Sequence, residues 1–462
     1  MSTTSGTVAT GLLADAADRA QRYLQGLDSR RAAPTPEAVG GLAAFDEALP
    51  ETPTDPAATL ALLDGAGSPA TVASAGGRYF GFVIGGSLPV TVAASWLATA
   101  WDQNAALPVM SPVAARLHEV VSGWLVSLLG LPAGTGTVFV TGASMANTAA
   151  LTAARDHQLA GEGWDVQADG LFGAPPVTVV VGEHAHASLI KALGVVGLGR
   201  NRVIRVPADD QGRLRSEQLP RDVTGPTIVC AQAGEVNSGG FDPFEEIVEW
   251  ARDRDAWVHV DGAFGMWALA DPTRAHLTAG LDGADSWALD AHKWLNVPYD
   301  CGIALVRRPE DLRRSFASVA GYLPADQGFE AMHHTPQASQ RARQVEVWAA
   351  LRSLGRAGVA DLVQRTCAHA QSMAALLQAA GLDVVNDVVL NQVLVRASSD
   401  HDTEALVQRV QQDGVCWCGP TTWQGRPAMR ISISGWATTS DDINDSAAAI
   451  LRAHRQSGAR SS

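Results

Sequence analysis

Lysine is almost missing from this chain. Of 34 Lys and Arg residues only two are lysines, Lys191 and Lys293. A general bias towards arginine accounts for the replacement, but lysine persists where arginine cannot serve. A guanidinium keeps its proton in a protein, whereas a lysine amine can lose its proton and attack a carbonyl. The two lysines are therefore the candidates for covalent chemistry. Cysteine is also scarce: Cys230, Cys301, Cys367, Cys416 and Cys418 are odd in number and irregular in spacing, which excludes a disulfide framework. Cys416 and Cys418 have no second Cys/His pair at ligand spacing, so no metal site is expected. Basic residues are outnumbered, giving a net charge of -14 that argues against nucleic-acid binding. No apolar run reaches membrane-spanning length, and residues 1–15 lack the basic and apolar regions of a signal peptide. The expectation is a soluble, cytoplasmic protein with no membrane partner.

Hydrophobic residues make up 46% of 462, enough for a large domain and a smaller one. Residues 1–60, rich in Ala, Pro, Asp and Thr, read as an arm with a helix near 11–27. Residues 61–335 read as a large domain and 336–462 as a small C-terminal one. Ser111 and Pro112 cap and open a helix that Gly130 ends. Its stripe of Val113, Leu117, Val120, Val121, Trp124, Leu125 and Leu128 is expected to face the core. Seven β-type runs follow, at 138–141, 177–181, 202–206, 227–231, 257–260, 286–289 and 302–306. Helical or Gly/Pro-rich segments separate most of them, which predicts an α/β fold with a mostly parallel seven-stranded sheet covered by helices. Beyond 340, helices at 340–355, 359–380 and 403–413, a last helix from 440, and strands at 384–385, 392–396 and 429–434 predict a smaller α+β domain.

The polar residues of interest stand at the ends of the strands, where open α/β sheets bind ligands. Asp261 ends the run Trp257-Val258-His259-Val260, ahead of Gly262-Ala263. Asp290-Ala291-His292-Lys293 ends another, with Lys293 set between apolar Leu289 and Trp294. Thr141-Gly142-Ala143-Ser144 leads from a strand into a helix, an arrangement that offers backbone N–H groups to an anion. His186 follows a third strand in Glu183-His184-Ala185-His186. An anion cradle, an aromatic ring, a buried acid and a lysine together describe a pyridoxal 5'-phosphate (PLP) site.

These residues resemble the group II PLP-dependent amino acid decarboxylases, of aspartate aminotransferase-like fold type I. The markers occur in order: Arg78-Tyr79-Phe80-Gly81-Phe82, Ser111-Pro112, 141–147, 183–188, 234–243, Asp261-Gly262-Ala263, and 290–294 with Asp300-Cys301-Gly302. The resemblance implies that Lys293 forms the cofactor Schiff base (aldimine), with His292 near the phosphate. It pairs Asp261 with the pyridine nitrogen, packs Ala263 on one ring face and His186 on the other, and assigns phosphate binding to Gly142, Ala143, Ser144 and Asp290. The family often has Asn where this chain has Asp290, and commonly Thr after the glycine matching Gly234, where this chain has Glu235.

Tyr79, Phe80 and Phe82 suggest an apolar or aromatic substrate wall, to which Trp417 and Trp423 are candidates. Arg430 is a candidate for the substrate carboxylate. The family's loop tyrosine, a proton donor, has Tyr322, His333 and His334 as candidate replacements. The leading expectation is decarboxylation of an aromatic or apolar L-amino acid by a homodimer. An aminotransferase or an aldolase-type lyase comes next, and a non-catalytic PLP-binding protein last.

Overall fold

The structure is a computed structural model, describing residues 5–318 and 328–458; Tyr322 lies outside them. The central sheet has seven strands: β1 Gly136–Val140, β2 Thr178–Gly182, β3 Ile204–Val206, β4 Thr227–Gln232, β5 Trp257–Asp261, β6 Ser286–Asp290 and β7 Gly302–Val306. Their order is β1-β7-β6-β5-β4-β2-β3. Neighbouring pairs run parallel except those of β7, which is antiparallel to both β1 and β6.

Side-chain alternation gives the sheet two apolar faces. On β4, Ile228 and Cys230 join one buried cluster while Val229 and Ala231 join the other. On β5, Trp257 faces the first cluster and Val258 and Val260 the second. Helices Ala143–Gly161 and Ala187–Val195 cover the first face with small residues such as Ala146, Ala149, Ala150 and Ala153, bringing the helix at residue 143 close to the strand ends. Phe244–Arg252 and Pro112–Leu128 cover the other.

The C-terminal region carries an antiparallel sheet ordered β10-β11-β9-β8: β8 Asp383–Val384, β9 Gln392–Arg396, β10 Gly419–Trp423 and β11 Arg426–Ser432. The helix Gln344–Ala379 is broken at Gly355, where φ is 60°, and the part after the break passes from the large core to the small one. Val347, Leu351 and Val363 pack with the large sheet, whereas Met373 and Leu377 pack with the small one.

Three expectations change. β10 is an additional strand, paired with β11 through the Gln424-Gly425 turn. Ser111 does cap its helix, accepting from Ala114 N. The buried face of that helix, however, is Ala114, His118, Val121, Leu125 and Leu128, while Val113 and Trp124 are exposed at 39% and 36%. The helix is apolar on more than one side, and this chain covers only part of it. Phe80 is not a pocket wall: it is 1% exposed in the small-domain core, and its backbone bonds to Trp417 O and Ser432 N.

Candidate active site

Asp261 and Asp290 end neighbouring parallel strands, and both are buried. The first turn of the Ala143 helix meets them. Asp290 Oδ1 accepts from Ala143 N at 2.6 Å, and Asp290 Oδ2 lies 3.0 Å from Lys293 Nζ. His292 Nε2 is 3.7 Å from Asp290 Oδ1, and its Nδ1 accepts from Cys301 N at 3.1 Å. Burial lowers the His292 pKa, opposed by Asp290 and reinforced by Lys293. Trp267 Nε1 donates to Asp290 O, and Trp294 Nε1 donates to Thr366, fixing the backbone on each side of the lysine.

Asp261 Oδ2 accepts from Asn147 Nδ2 at 3.1 Å, and Oδ1 accepts from Ala263 N at 3.3 Å. A carboxylate so held keeps lone pairs for a further donor. His186 caps the helix Ala187–Val195: its Nδ1 accepts from Ser188 N at 3.2 Å, with Ser188 Oγ at 2.7 Å. The neutral ring therefore carries its proton on Nε2. Burial is the chief cause lowering the His186 pKa; Asp261 opposes it, and Lys293 and Arg430 add to it. His186 thus stands within electrostatic reach of Asp261, Lys293 and Arg430.

Space at the centre is kept by glycine. A Cβ on Gly302 would come within 2.3 Å of the Gly142 backbone, so β7 approaches the start of the Ala143 helix closely only because residue 302 has none. An amine, an anionic acceptor with lone pairs to offer and a helix N-terminus opened by Gly142-Ala143-Ser144 fit a phosphorylated pyridine aldehyde.

An aromatic stack stands nearby. Trp417 lies between Tyr79, at 5.1 Å between centroids, and Phe82, at 5.3 Å. Tyr299 packs on His292 at 4.4 Å. The 81–85 segment passes close to Lys293, since a Cβ on Gly85 would lie 2.5 Å from Lys293 O. Trp423 is instead 1% exposed in a small cluster with Leu394 and Ala428. Arg430 reaches across to Val236 O at 3.3 Å; burial lowers its pKa, and Glu235 opposes this.

His333 and His334 have other partners. His333 Nε2 is 3.2 Å from Glu330 and its Nδ1 accepts from Ser318 N, while His334 stacks on Phe329, itself stacked on His118. The Phe329 stack ties His334 to His118 of the Pro112–Leu128 helix, while His333 is held by Glu330 and Ser318.

Asn147 and His259 escaped the sequence reading. Spacing could have found them, because His259 is two residues before Asp261 on one strand face and Asn147 is one helical turn after Ala143.

The pyridoxal-dependent decarboxylase conserved domain matches residues 77–397. Over 388 residues the chain is 27% identical to an aromatic-L-amino-acid decarboxylase of Bacillus atrophaeus, covering 79% of this chain and 78% of that protein. Over 364 residues it is 29% identical to an L-2,4-diaminobutyrate decarboxylase of Rhizobium meliloti, covering 74% and 70%. The solved structure of Oryza sativa TDC with PLP and tryptamine superposes with a TM-score of 0.91 at 22% identity, covering 99% of both chains. The chain belongs to the pyridoxal-dependent decarboxylase family and is a PLP-dependent amino acid decarboxylase.

Proposed function

We propose that this enzyme decarboxylates an aromatic or otherwise apolar L-amino acid. The observation that carries the reading is the Tyr79–Trp417–Phe82 stack beside the segment that passes Lys293. Flat apolar rings reward burial of an aromatic side chain and offer no charge to an acidic one.

Bound PLP supplies the electron sink that accepts the pair left behind as the carboxylate departs. Lys293 is the residue that holds it covalently, and Asp261 the acceptor for its ring nitrogen. Ala143 and Ser144, at the positive end of their helix, would hold its phosphate with His292 beside them, the Ala143 N–H being shared with Asp290. Ala263 and His186 would pack on the ring, where the His186 Nε2–H could serve as a proton donor or holder. Arg430 is the candidate to orient the substrate carboxylate.

The working unit is a homodimer in the cytoplasm. Trp96, Leu97 and Trp101 on the helix Pro89–Trp101 are exposed at 46%, 55% and 45%, and Val113 and Trp124 add to the uncovered apolar surface. All five cysteines are buried free thiols, which suits a reducing compartment.

The test is a panel of single amino acids given to the PLP-loaded protein, with CO2 release and the amine product followed by mass spectrometry. Lys293→Ala is the blank. Aromatic amino acids should give CO2 and the matching amine; faster turnover of acidic or diamino substrates overturns the substrate reading.

A further inference from the structure

Behind Asp261 runs a chain of buried polar side chains whose hydrogens are fixed by their partners. Asp261 accepts Asn147 Nδ2. That orientation turns Asn147 Oδ1 to His259 Nε2 at 2.8 Å, so Nε2 carries the proton. On the other side of the ring, His259 Nδ1 lies 2.9 Å from Ser286 Oγ. Trp257 Nε1, which can only donate, gives its hydrogen to the same Ser286 oxygen at 2.8 Å. Ser286 therefore directs its own hydrogen to Nδ1. Trp257 is 1% exposed and Ser286, His259 and Asn147 are 0% exposed, so water offers no alternative partner.

No other arrangement satisfies every group. Turning the Asn147 amide would set its oxygen against the Asp261 carboxylate. A second proton on His259 would leave the Ser286 hydrogen without an acceptor. A half-satisfied buried network is costly, so the single satisfied arrangement is strongly preferred.

We propose that His259 is a positioning residue for the cofactor: as the neutral Nε2–H tautomer it locks Asn147, and through Asn147 it keeps the Asp261 carboxylate oriented, with its charge free for the pyridine nitrogen. The proposal rests on the reading of Asp261 as the partner of that nitrogen. A protonated His259 would place a competing cation behind the carboxylate and weaken its hold on the ring. Burial acts in the same direction, lowering the His259 pKa to about 4 against the opposing charge of Asp261. The network also has a mechanical base, because His259 and Ser286 are paired residues on adjacent strands and Asn147 projects from the helix that carries Ala143.

Two measurements test it. In holoenzyme labelled with 15N-histidine, with His259→Gln identifying the His259 signals, the ring should be neutral and protonated on Nε2 at about pH 7. An Nδ1–H tautomer or an imidazolium there overturns the proposal. The second measurement compares the PLP dissociation constant and the absorption spectrum of bound cofactor in His259→Phe, His259→Gln and Asp261→Asn. His259→Phe should weaken PLP binding roughly tenfold, as loss of an outer hydrogen-bond partner does at other ligand sites. It should also shift the spectrum in the same sense as Asp261→Asn. His259→Gln keeps one donor and one acceptor and should restore both. A normal dissociation constant and spectrum in His259→Phe, beside a changed Asp261→Asn, overturns the role of His259. An unchanged Asp261→Asn overturns the reading beneath it. Where His259→Phe fails to fold, the tautomer measurement on the intact enzyme decides.

Discussion

Lys293 Nζ and Asp290 Oδ2 are 3.0 Å apart, while the other oxygen of that carboxylate accepts the Ala143 N–H at 2.6 Å. An acid thus occupies the helix N-terminus proposed for the cofactor phosphate. Two anions at one positive helix end repel, more strongly in a buried site than in water. Asp290→Asn keeps an oxygen for Ala143 and removes the charge. PLP should then bind roughly tenfold tighter, a modest fraction of the charge–charge energy at such a site. A fluorescence titration of PLP into the apoprotein measures it, and weaker binding would show that the carboxylate assists the phosphate.

Acid should destabilise the fold through His118. Its ring is stacked 3.8 Å from Phe329 and edge-on to Phe139, and burial, aided by His334, lowers its pKa to about 3. The unfolded chain takes up a proton on this residue near the ordinary histidine value of about 6.5, and the folded chain does not. The contribution of the neutral ring is therefore fully present above about pH 6.5 and is lost as pH falls towards 3. At about pH 5 the loss is about 2 kcal/mol. His118→Phe keeps the stack without the titration, so its melting temperature should fall less than that of the wild type between neutral pH and pH 5. Equal falls would show that His118 does not titrate in this way.

The chemistry was more legible in the sequence than the packing. Lys293 and Asp261 stood out because an acid or a rare amine at the end of a buried strand has few other uses. Phe80 was misjudged because Tyr79 and Phe80 face opposite ways, and the chain then leaves the extended conformation at Phe82, where φ is 53°, so that Tyr79 and Phe82 both reach Trp417 while Phe80 enters the small core. Trp124 was misjudged because hydrophobic spacing marks faces that need covering without saying which covering comes from the same chain. β10 begins Gly419-Pro420, residues that weaken a strand signal, and its place depends on pairing with β11. Asn147 and His259 were visible only in pieces, since their meaning lies in a bond between a helix and a strand 112 residues apart.

The aromatic stack makes a kinetic prediction. A Cβ on Gly81 would lie 2.3 Å from the Trp417 ring and 2.8 Å from the Tyr79 hydroxyl. Gly81→Ala must therefore displace Trp417. If that ring binds the substrate side chain, KM for aromatic amino acids should rise roughly tenfold while kcat changes less, the pattern of lost uniform binding. Steady-state kinetics decides, and a fall in kcat at unchanged KM would remove Trp417 from the substrate wall.

The proposed homodimer makes the last. Helices Pro89–Trp101 and Pro112–Leu128 bury their inner sides together through Ala94, Ala98, Ala114 and Leu117 against Ala342 and Val345. On their outer sides Trp96, Leu97, Trp101, Val113 and Trp124 are exposed. An apolar surface of this kind on a folded domain marks an association site. A charge buried there without a partner costs several kcal/mol, enough to break an ordinary interface. Leu97→Glu leaves the inner packing untouched and should convert the dimer to a monomer in analytical ultracentrifugation. The N-terminal arm, whose Leu13 and Leu24 are also exposed, is expected to wrap the same partner, so deleting residues 1–60 should act in the same direction. A Leu97→Glu protein that sediments as a dimer would place the interface on another face, and a wild-type monomer would remove the dimer altogether.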